Sequence, residues 1–308
     1  MMERAPDIFI HAVLLLLMPP LLNGIINKTK AFFAGRRGRP LFQGYFDLIK
    51  LARKEVIISR STTWIFSAAP AVSLTVILMA GFMMPFGPFP SPVFFTGDVI
   101  LFAYLLALGR FFTTAAALDT GSAFEGMGAA REVSFAFLSE GAFFFILLLL
   151  VKMSGSLTLE SMMHAPLDGG QGNAAASLVL ASVGIFILLL SENSRIPVDD
   201  PGTHLELTMI HEVMVLDHSG PLLGMIQYAA SLKLFLFAAI LLHFVFPFQT
   251  GSLPLDWGLF VVEMMGAAVG IGVVESVMAR LQMRHVPYLL IAAILFCGFA
   301  FILFVRQF

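Results

Sequence analysis

The chain has 308 residues, of which 58% are hydrophobic and 12% charged, and its formal net charge is −2. This composition, with a mean hydropathy of +0.91, excludes a soluble globular protein and indicates a polytopic membrane protein. The single cysteine, Cys297, excludes a disulfide within the chain, and an iron–sulfur cluster needs more thiolates than this chain supplies.

Eight apolar windows are long enough for spanning helices, which need about 20 mostly apolar residues each. We therefore expect an all-α fold in which residues 1–308 form a single transmembrane domain. The predicted spans lie near residues 8–27, 64–86, 98–118, 131–152, 174–190, 227–247, 257–279 and 286–306. The first window lacks the basic start and the small-residue cleavage site of a signal peptide, so it is predicted to be a retained span.

Basic residues are concentrated on one side of these spans. The loops after the odd-numbered spans, with their edges, hold Lys28, Lys30, Arg36, Arg37, Arg39, Lys50, Arg53, Lys54, Arg60, Arg110, Arg131, Arg195, Arg280 and Arg284. The opposite side holds Arg4, Lys152 and Arg306. The positive-inside rule predicts that the first side is cytoplasmic and that both chain termini lie outside.

The long cytoplasmic stretch at residues 28–63 predicts an amphipathic helix at the membrane interface. After the linker GRRGRP, apolar and polar side chains fall on opposite faces of this helix. The apolar residues are Phe42, Tyr45, Phe46, Ile49 and Val56, and the polar ones are Gln43, Asp47, Lys50 and Lys54. The pattern leaves open whether the helix anchors the chain on lipid or serves docking or gating.

A glycine-rich stretch, DTGSAFEGMGAAR at residues 119–131, precedes the fourth span. It lacks the G-x-G-x-x-G and Walker spacings, so we do not expect nucleotide binding. Ser122 and Glu125 have the spacing of a capping box, which predicts a helix start there. In one continuous helix Glu125 and Glu132 share a face, and Glu140 lies deeper in the span.

Residues 191–221, between the fifth and sixth spans, contain six carboxylates and three histidines. Ionisable side chains at membrane depth usually mark an ion or proton path. Pro197 and Pro201 are expected to end the preceding helix, and a second helix is expected to start at Thr203 and Glu206. We predict that this segment packs against the cytoplasmic ends of several spans.

His204, His211 and His218 recur every seven residues, which would place them on one face of the predicted second helix. Neighbouring histidines would then be about 10 Å apart, too far to share a metal ion. His211-Glu212 begins a zinc-protease motif, but Val215 stands where the second histidine would be. We therefore expect no metal site.

Three further charged residues lie inside predicted spans: Lys233 in the sixth, and Glu263 and Glu275 in the seventh. A lysine in a span is rarely tolerated without a partner, so a carboxylate from another span is expected to pair with Lys233. Any one of these residues can be explained as a salt bridge that fixes packing. Their repetition across four spans and one loop favours an ion path.

Four stretches carry a resemblance to a known family: RRGRPLFQGYFDLIKLARKE at 36–55, LDTGSAFEGMGAAREVSF at 118–135, ENSRIPVDDPGTHLELTMIHE at 192–212 and VESVMARLQ at 274–282. They resemble the NADH dehydrogenase subunit 1 family, the heel subunit of respiratory complex I, and the resemblance covers nearly the whole chain. Within the third stretch, the sequence is more similar to the branch that serves formate hydrogenlyase and other group 4 membrane-bound nickel–iron hydrogenases.

The resemblance implies a non-redox subunit of a multi-subunit oxidoreductase in a prokaryotic cytoplasmic (inner) membrane. Its implied partners are hydrogenase-like large and small peripheral subunits, an iron–sulfur subunit, antiporter-like membrane subunits and the lipid bilayer, with no nucleic acid. The nickel–iron centre and the iron–sulfur clusters would belong to the partners, and this chain alone would bind no cofactor. Quinone, which complex I takes into the chamber of this subunit, is possible here but not favoured.

By this resemblance the subunit would dock the peripheral electron-transfer arm and couple it to proton or sodium translocation through buried carboxylates. The predicted ion path comprises Glu132, Glu140, Glu192, Glu206, Glu212, Asp217, Lys233, Glu263 and Glu275. The predicted chamber or docking residues are Arg36, Arg37, Arg39, Phe42, Gln43, Asp47, Glu125, Arg131, Arg195 and Asp199. We further predict that Phe42, Tyr45 and Phe46 are buried toward the bundle.

Two alternatives remain open at this point. The first keeps the fold and makes the chain the quinone-site subunit of an NADH:quinone oxidoreductase. The second is a stand-alone ion-coupled transporter, against which stands the absence of a detectable internal repeat. A transporter would work alone in liposomes, whereas a coupling subunit would not.

Overall fold

The computed structural model describes residues 5–87, 89–164, 172–199, 209–246 and 252–306. Within these ranges the chain is all-α, and eight helices are long and apolar enough to cross a membrane, which confirms the predicted span count. The α-helices are α1 (Ala5–Phe33), α2 (Gln43–Ala52), α3 (Trp64–Met83), α4 (Asp98–Asp119), α5 (Ala123–Ser154), α6 (Leu159–Met163), α7 (Gly172–Glu192), α8 (Gly220–Val245), α9 (Leu253–Val277) and α10 (Val286–Val305). Two short 3-10 helices cover Glu212–Val215 and Met283–His285.

Several helices extend beyond the apolar windows that predicted them. α5 begins at Ala123 rather than near residue 131, and α8 begins at Gly220 rather than near residue 227. Hydropathy registers only the apolar part of a helix, whereas the backbone hydrogen bonds continue until a residue ends them. The start of α5 follows Ser122, as the capping-box spacing predicted, although the Ser122 side chain makes no capping hydrogen bond.

Side-chain caps and backbone conformation define where the helices begin and end. Asp119 at the end of α4 accepts hydrogen bonds at Oδ2 from the backbone N–H of Thr63 (2.7 Å) and of Phe66 (3.3 Å), so it caps the start of α3. Gly155 ends α5 with a φ of +66°, a conformation that favours glycine. Proline occupies the first turn of α8, α9 and α10, where its missing N–H costs no helical hydrogen bond.

Helix α8 lies at the centre of the bundle. In its most apolar stretch 72% of the residues are buried, against 22% for α10. It packs against α1, α2, α3, α7 and α9, while α10 packs against α5 and α7 at the periphery. Aromatic contacts fill the core beside it, such as Phe86 edge-on to Phe235 with ring centroids 4.9 Å apart.

The predicted interfacial helix exists as α2, but the prediction that its aromatic face is buried is wrong for two residues. Phe42 and Phe46 are 54% and 57% exposed. α2 instead packs on its neighbours at other residues. Gly44 lies against Pro20 of α1, and Leu51 lies against Gly224 of α8. Only Tyr45 turns inward, where its hydroxyl donates to the backbone oxygen of Leu17.

The segment between α7 and α8 is compact in its described part, residues 193–199 and 209–219. Its predicted second helix starts at Thr203, outside the described residues, and His204 lies outside them as well. The helix is not continuous further on, because only Glu212–Val215 are helical and these form a 3-10 turn. The prediction that His211 and His218 lie on one face of an α-helix is therefore wrong.

Candidate functional site

Five charged side chains from four helices meet in a group that we call the Arg110 cluster. Arg110 of α4 lies at its centre and ion-pairs with Glu132 and Glu140 of α5 and with Glu192 of α7. The Nη2 of Arg110 is 2.6 Å from Oε2 of Glu192, and its Nε is 3.3 Å from Oε1 of Glu132. Lys233 of α8 donates to the same Oε2 of Glu192 at 2.6 Å. The expectation that Lys233 pairs with a carboxylate of another span is confirmed.

Arg110 and Lys233 lie well away from the ends of their helices, whereas Glu192 is the last residue of α7. Arg110 precedes Asp119, the last residue of α4, by nine residues, which corresponds to about 13 Å along the helix axis. Lys233 follows Gly220, the first residue of α8, by thirteen residues, or about 20 Å. Charges at such depth are tolerated when they are paired inside a bundle, which is the arrangement seen here.

The charges of the cluster do not balance. Three carboxylates face one arginine and one lysine, so the formal sum is −1. His211, which precedes the 3-10 turn, adds a sixth ionisable group because its Nε2 lies 3.1 Å from Oε2 of Glu132. Protonation of His211 brings the sum to zero. The cluster can therefore hold or release one proton without leaving a large unbalanced charge.

His211 is the ionisable group of this site that lies outside the spans. Burial lowers its pKa, but the neighbouring Glu132 carboxylate, with a smaller contribution from Asp199, outweighs burial and Lys233 and raises the pKa above its ordinary value of 6.5. The Glu132 carboxylate thus favours the protonated form of His211.

A small cavity adjoins these groups. Its lining includes Glu132, Ser139, Glu192 and His211, and its volume is about 10 Å³. That is close to the space that one water molecule requires, and the lining offers several polar partners. Ser139 also donates a hydrogen bond to Oε1 of Glu192, so the second oxygen of this carboxylate is engaged as well.

A second group of charges surrounds Glu275 of α9, whose side chain is fully buried. Lys30 of α1 places its Nζ 2.8 Å from Oε2 of Glu275, and Arg195 places its Nη1 3.4 Å from Oε1. Arg195 also contacts Asn23, which donates to Ser231 Oγ at 2.8 Å. Arg195, Asn23 and Ser231 thus extend the Glu275 group to α8, the helix that also carries Lys233.

The segment 209–219 is fastened to α5 and to its neighbours at several points. Arg131 donates from Nη1 to the backbone oxygen of Met209 at 2.9 Å, and Glu125 accepts at Oε1 from the backbone N–H of Asp217 at 3.0 Å. The ring of His218 stacks on Phe66 with centroids 4.0 Å apart. The prediction that this segment packs against the ends of several spans is confirmed for its described part.

Asp199 joins the segment to the stretch that follows α9. Its Oδ1 accepts from Nη2 of Arg280 at 2.8 Å, and its Oδ2 accepts from the backbone N–H of Ile210 at 3.0 Å. Asp199 is almost fully buried. This carboxylate therefore fixes the start of the segment, directly before His211.

The other predicted residues lie apart from both groups. Glu263 is half-buried on α9, Glu212 opens the 3-10 turn, and Asp217 is exposed. Glu206 lies outside the described residues. Among the described residues, no three His, Cys, Asp or Glu side chains lie close enough together to hold a metal ion.

The predicted docking residues lie on and before α2. Arg36, Arg37 and Arg39 are exposed, in the linker between α1 and α2. Gln43 donates from Nε2 to Oδ1 of Asp47 at 2.8 Å, one turn along α2. Arg36, Arg37 and Arg39 thus form an exposed basic surface, and none of the predicted docking residues named here belongs to either charge group.

Comparison with known proteins identifies the family. The sequence model of the family described as NADH dehydrogenase matches residues 7–306. The chain belongs to the NADH dehydrogenase subunit 1 family.

Two similar members of this family come from Escherichia coli (strain K12). Formate hydrogenlyase subunit 4 is 29% identical over 306 residues, which cover 96% of each chain. Hydrogenase-4 component C is 32% identical over 238 residues, which cover 77% of this chain and 74% of the relative. A subunit of the NADH-quinone oxidoreductase of Anaplasma phagocytophilum (strain HZ) is 28% identical over 208 residues, covering 61% of this chain and 60% of the relative.

A solved structure has the same fold. A chain of the archaeal membrane-bound sulfane sulfur reductase, a respiratory membrane complex, superposes with a TM-score of 0.77. The match covers 96% of this chain and 99% of that chain at 20% identity, so it establishes the fold alone. The chain is a multi-pass membrane protein of the NADH dehydrogenase subunit 1 fold.

Three residues in or beside the Arg110 cluster were not predicted as site residues: Arg110, Ser139 and His211. The prediction that Arg110 lies at the edge of a loop is wrong, because this residue lies inside α4. The signal was present, since an arginine within an apolar window calls for the same pairing argument as Lys233. Ser139 carries no such signal. His211 belongs to the ionisable segment that the sequence singled out, but only the packing of segment 209–219 against α5 reveals that its partner is Glu132.

Proposed function

We propose that this chain is the membrane subunit of a group 4 hydrogenase-type respiratory complex, in which it couples electron transfer in a docked peripheral arm to proton or sodium translocation. The observation that carries the coupling role is the Arg110 cluster, with its buried and unbalanced charges. The similarity to formate hydrogenlyase subunit 4 over 96% of both chains supports the type of complex. The nickel–iron and iron–sulfur chemistry would belong to the peripheral partners.

The physical basis of coupling is the interaction of ionisable groups in a medium of low dielectric constant. Glu132 and Glu192 share Arg110, so a change in the charge of one alters the proton affinity of the other. His211 sits beside Glu132 on a segment outside the spans, where a redox event in a docked arm can reach it. A shift of this segment would change the His211–Glu132 distance and so move a proton within the cluster.

The same proposal places the chain in a prokaryotic cytoplasmic membrane with both termini outside. The peripheral arm would then sit over the exposed basic linker, since Arg36, Arg37 and Arg39 offer charge-assisted contacts to acidic groups. The antiporter-like membrane subunits would receive the ions that the Arg110 cluster releases.

The test uses the whole complex in liposomes, with proton movement followed by a pH-sensitive dye during turnover. Glu192→Gln keeps the shape of the side chain and removes its charge and titrating oxygen, so we expect electron transfer to continue while proton movement is lost. Glu55→Gln, which changes an exposed carboxylate after α2, is the matched control and should pump normally. Normal pumping in the Glu192→Gln complex would contradict the coupling role and leave the cluster as a salt bridge that only fixes packing.

The alternative, a quinone-site subunit of an NADH:quinone oxidoreductase, is favoured by the similarity to the NADH-quinone oxidoreductase relative from Anaplasma phagocytophilum. Solvent extraction of the purified complex separates the two functions, because quinone recovered in stoichiometric amount would support the alternative. The purified chain alone in liposomes tests the transporter hypothesis, which requires ion movement without partners.

A further inference from the structure

One carboxylate of the Arg110 cluster reaches the outer surface of the bundle. The side chain of Glu140 is 56% exposed, whereas those of Arg110, Glu132 and Glu192 are 13%, 9% and 8% exposed. Among the described residues, Arg110 is its ion-pair partner, and that pairing engages only Oε1. Glu140 lies near the middle of α5, seventeen residues after Ala123, or about 25 Å along the axis.

The surface around Glu140 is otherwise apolar. Val133, Phe137 and Phe144 lie on the same face of α5, at the spacing of successive helical turns, and all three are well exposed. The face therefore consists of large apolar side chains with one carboxylate at its centre.

Lipid is a poor cover for such a face. Acyl chains cannot donate a hydrogen bond to the second oxygen of Glu140, and intramembrane charges almost always face protein or water. A second copy of the chain is also a poor cover, because a twofold contact through this face would bring two Glu140 side chains toward each other.

The charges of the cluster indicate which kind of partner fits this face of α5. Glu140 shares Arg110 with Glu132 and Glu192, so its own charge is only partly compensated, and its second oxygen is free at the exposed surface. We propose that a transmembrane helix of another membrane subunit covers this face of α5 and places one basic side chain, lysine or arginine, against Glu140. The inference rests on the proposed function, because it assumes a multi-subunit membrane complex, and it identifies the place where the ion path leaves this chain.

Cross-linking in membranes that contain the whole complex locates the partner. Benzoylphenylalanine replaces Phe137 or Phe144, and in the control it replaces Val262, an equally exposed residue on α9. We expect irradiation to join positions 137 and 144 to one other membrane subunit, near a lysine or arginine in its sequence, and position 262 not to join it. Adducts with lipid alone, or with a second copy of this chain, would overturn the proposal.

A charge reversal tests the basic partner. Because Glu140→Lys opposes a basic residue, the cross-link yield from position 144 should fall at least about tenfold, and Glu140→Gln should lower it less. Changing the cross-linked subunit's basic residue to glutamate should restore the yield with Glu140→Lys. An unchanged yield in Glu140→Lys, or no recovery in the double variant, contradicts a basic partner.

Pumping measured on the same membranes keeps this inference separate from the proposed function. Glu192→Gln should abolish pumping and leave the cross-link at 144 intact. If the cross-link is absent while Glu192→Gln still abolishes pumping, the docking face is wrong and the coupling role stands. If the cross-link forms while Glu192→Gln pumps normally, the docking face stands and the coupling role fails.

Discussion

Lys233 donates a hydrogen bond to Glu192 between two neighbouring helices, with 2.6 Å between Nζ and Oε2. The side chains are 21% and 8% exposed, so the pair is largely shielded from its surroundings. Arg110 contacts the same oxygen, so Glu192 has two cationic partners, as Glu275 does. This geometry fixes α4, α7 and α8 relative to one another at the depth of the cluster.

The first prediction concerns that pair. Lys233→Met should lower the free energy of unfolding by about 3 kcal/mol, because breaking a buried pair leaves one charge without its partner. Glu192→Gln in the same chain should recover part of this loss, with a coupling energy of at least about 1 kcal/mol. Thermal unfolding of the purified chain in detergent measures both values. Lys50→Ala, on the exposed side of α2, is the control, and additive effects of the two changes would contradict the pair.

The second prediction concerns the contact between α5 and segment 209–219. A Cβ added at Gly128 would lie 2.4 Å from Cγ1 of Val213, whereas nothing lies within 4 Å of a Cβ at Gly126. Gly128→Ala should therefore destabilise the protein by about 1–3 kcal/mol through overpacking. Gly126→Ala should stabilise it by up to about 1 kcal/mol, because alanine is the better helix former.

Thermal unfolding compares these two alanine variants directly. Val213→Ala should partly rescue Gly128→Ala, since it removes the methyl group nearest to the new Cβ, while the backbone oxygen of Ile210 and Cγ of Met214 stay 3.0 Å away. Equal melting temperatures for the two single variants would mean that the segment does not press on α5 at Gly128.

The third prediction is a pH dependence that originates from His211. Its pKa is raised in the folded protein, so the stability it contributes is fully present below pH 6.5 and is lost as the pH rises through the folded pKa. His211→Asn should therefore lower the melting temperature most at acid pH, and the two proteins should converge at alkaline pH. Melting curves of both proteins between about pH 5 and pH 9 check the sign. A difference that grows with pH would show that His211 is held in its neutral form.

The fourth prediction concerns docking of the peripheral arm. One exposed Arg→Ala change in the linker should have almost no effect, since single rim charges contribute little. Replacing Arg36, Arg37 and Arg39 together should release the arm from the membrane part at moderate salt, as judged by co-purification. A complex that stays intact at high salt after the triple change would confine these residues to lipid contact. Arg306→Ala, at the end of the last span, is the control.

The sequence by itself determined the spans of this protein. A spanning helix satisfies its own backbone hydrogen bonds, and the apolar residues that it needs are consecutive in the chain. The same local logic predicted that Lys233 would need a carboxylate, that α5 would start after Ser122, and that the stretch after α7 would carry ionisable groups. Motif resemblance added the family, which the match over residues 7–306 establishes.

Only the tertiary structure decided which charges meet. Arg110 and Glu192 are 82 residues apart in the chain, and Arg195 and Glu275 are 80 apart, so no local pattern connects them. The sequence predicted the wrong orientation for Phe42 and Phe46, because an amphipathic pattern fixes two faces and not which of them meets the bundle. The contacts of Gly44 with α1 and of Leu51 with α8 determine which face of α2 meets the bundle. Pairing and orientation depend on packing between distant helices, and that packing is a property of the whole fold.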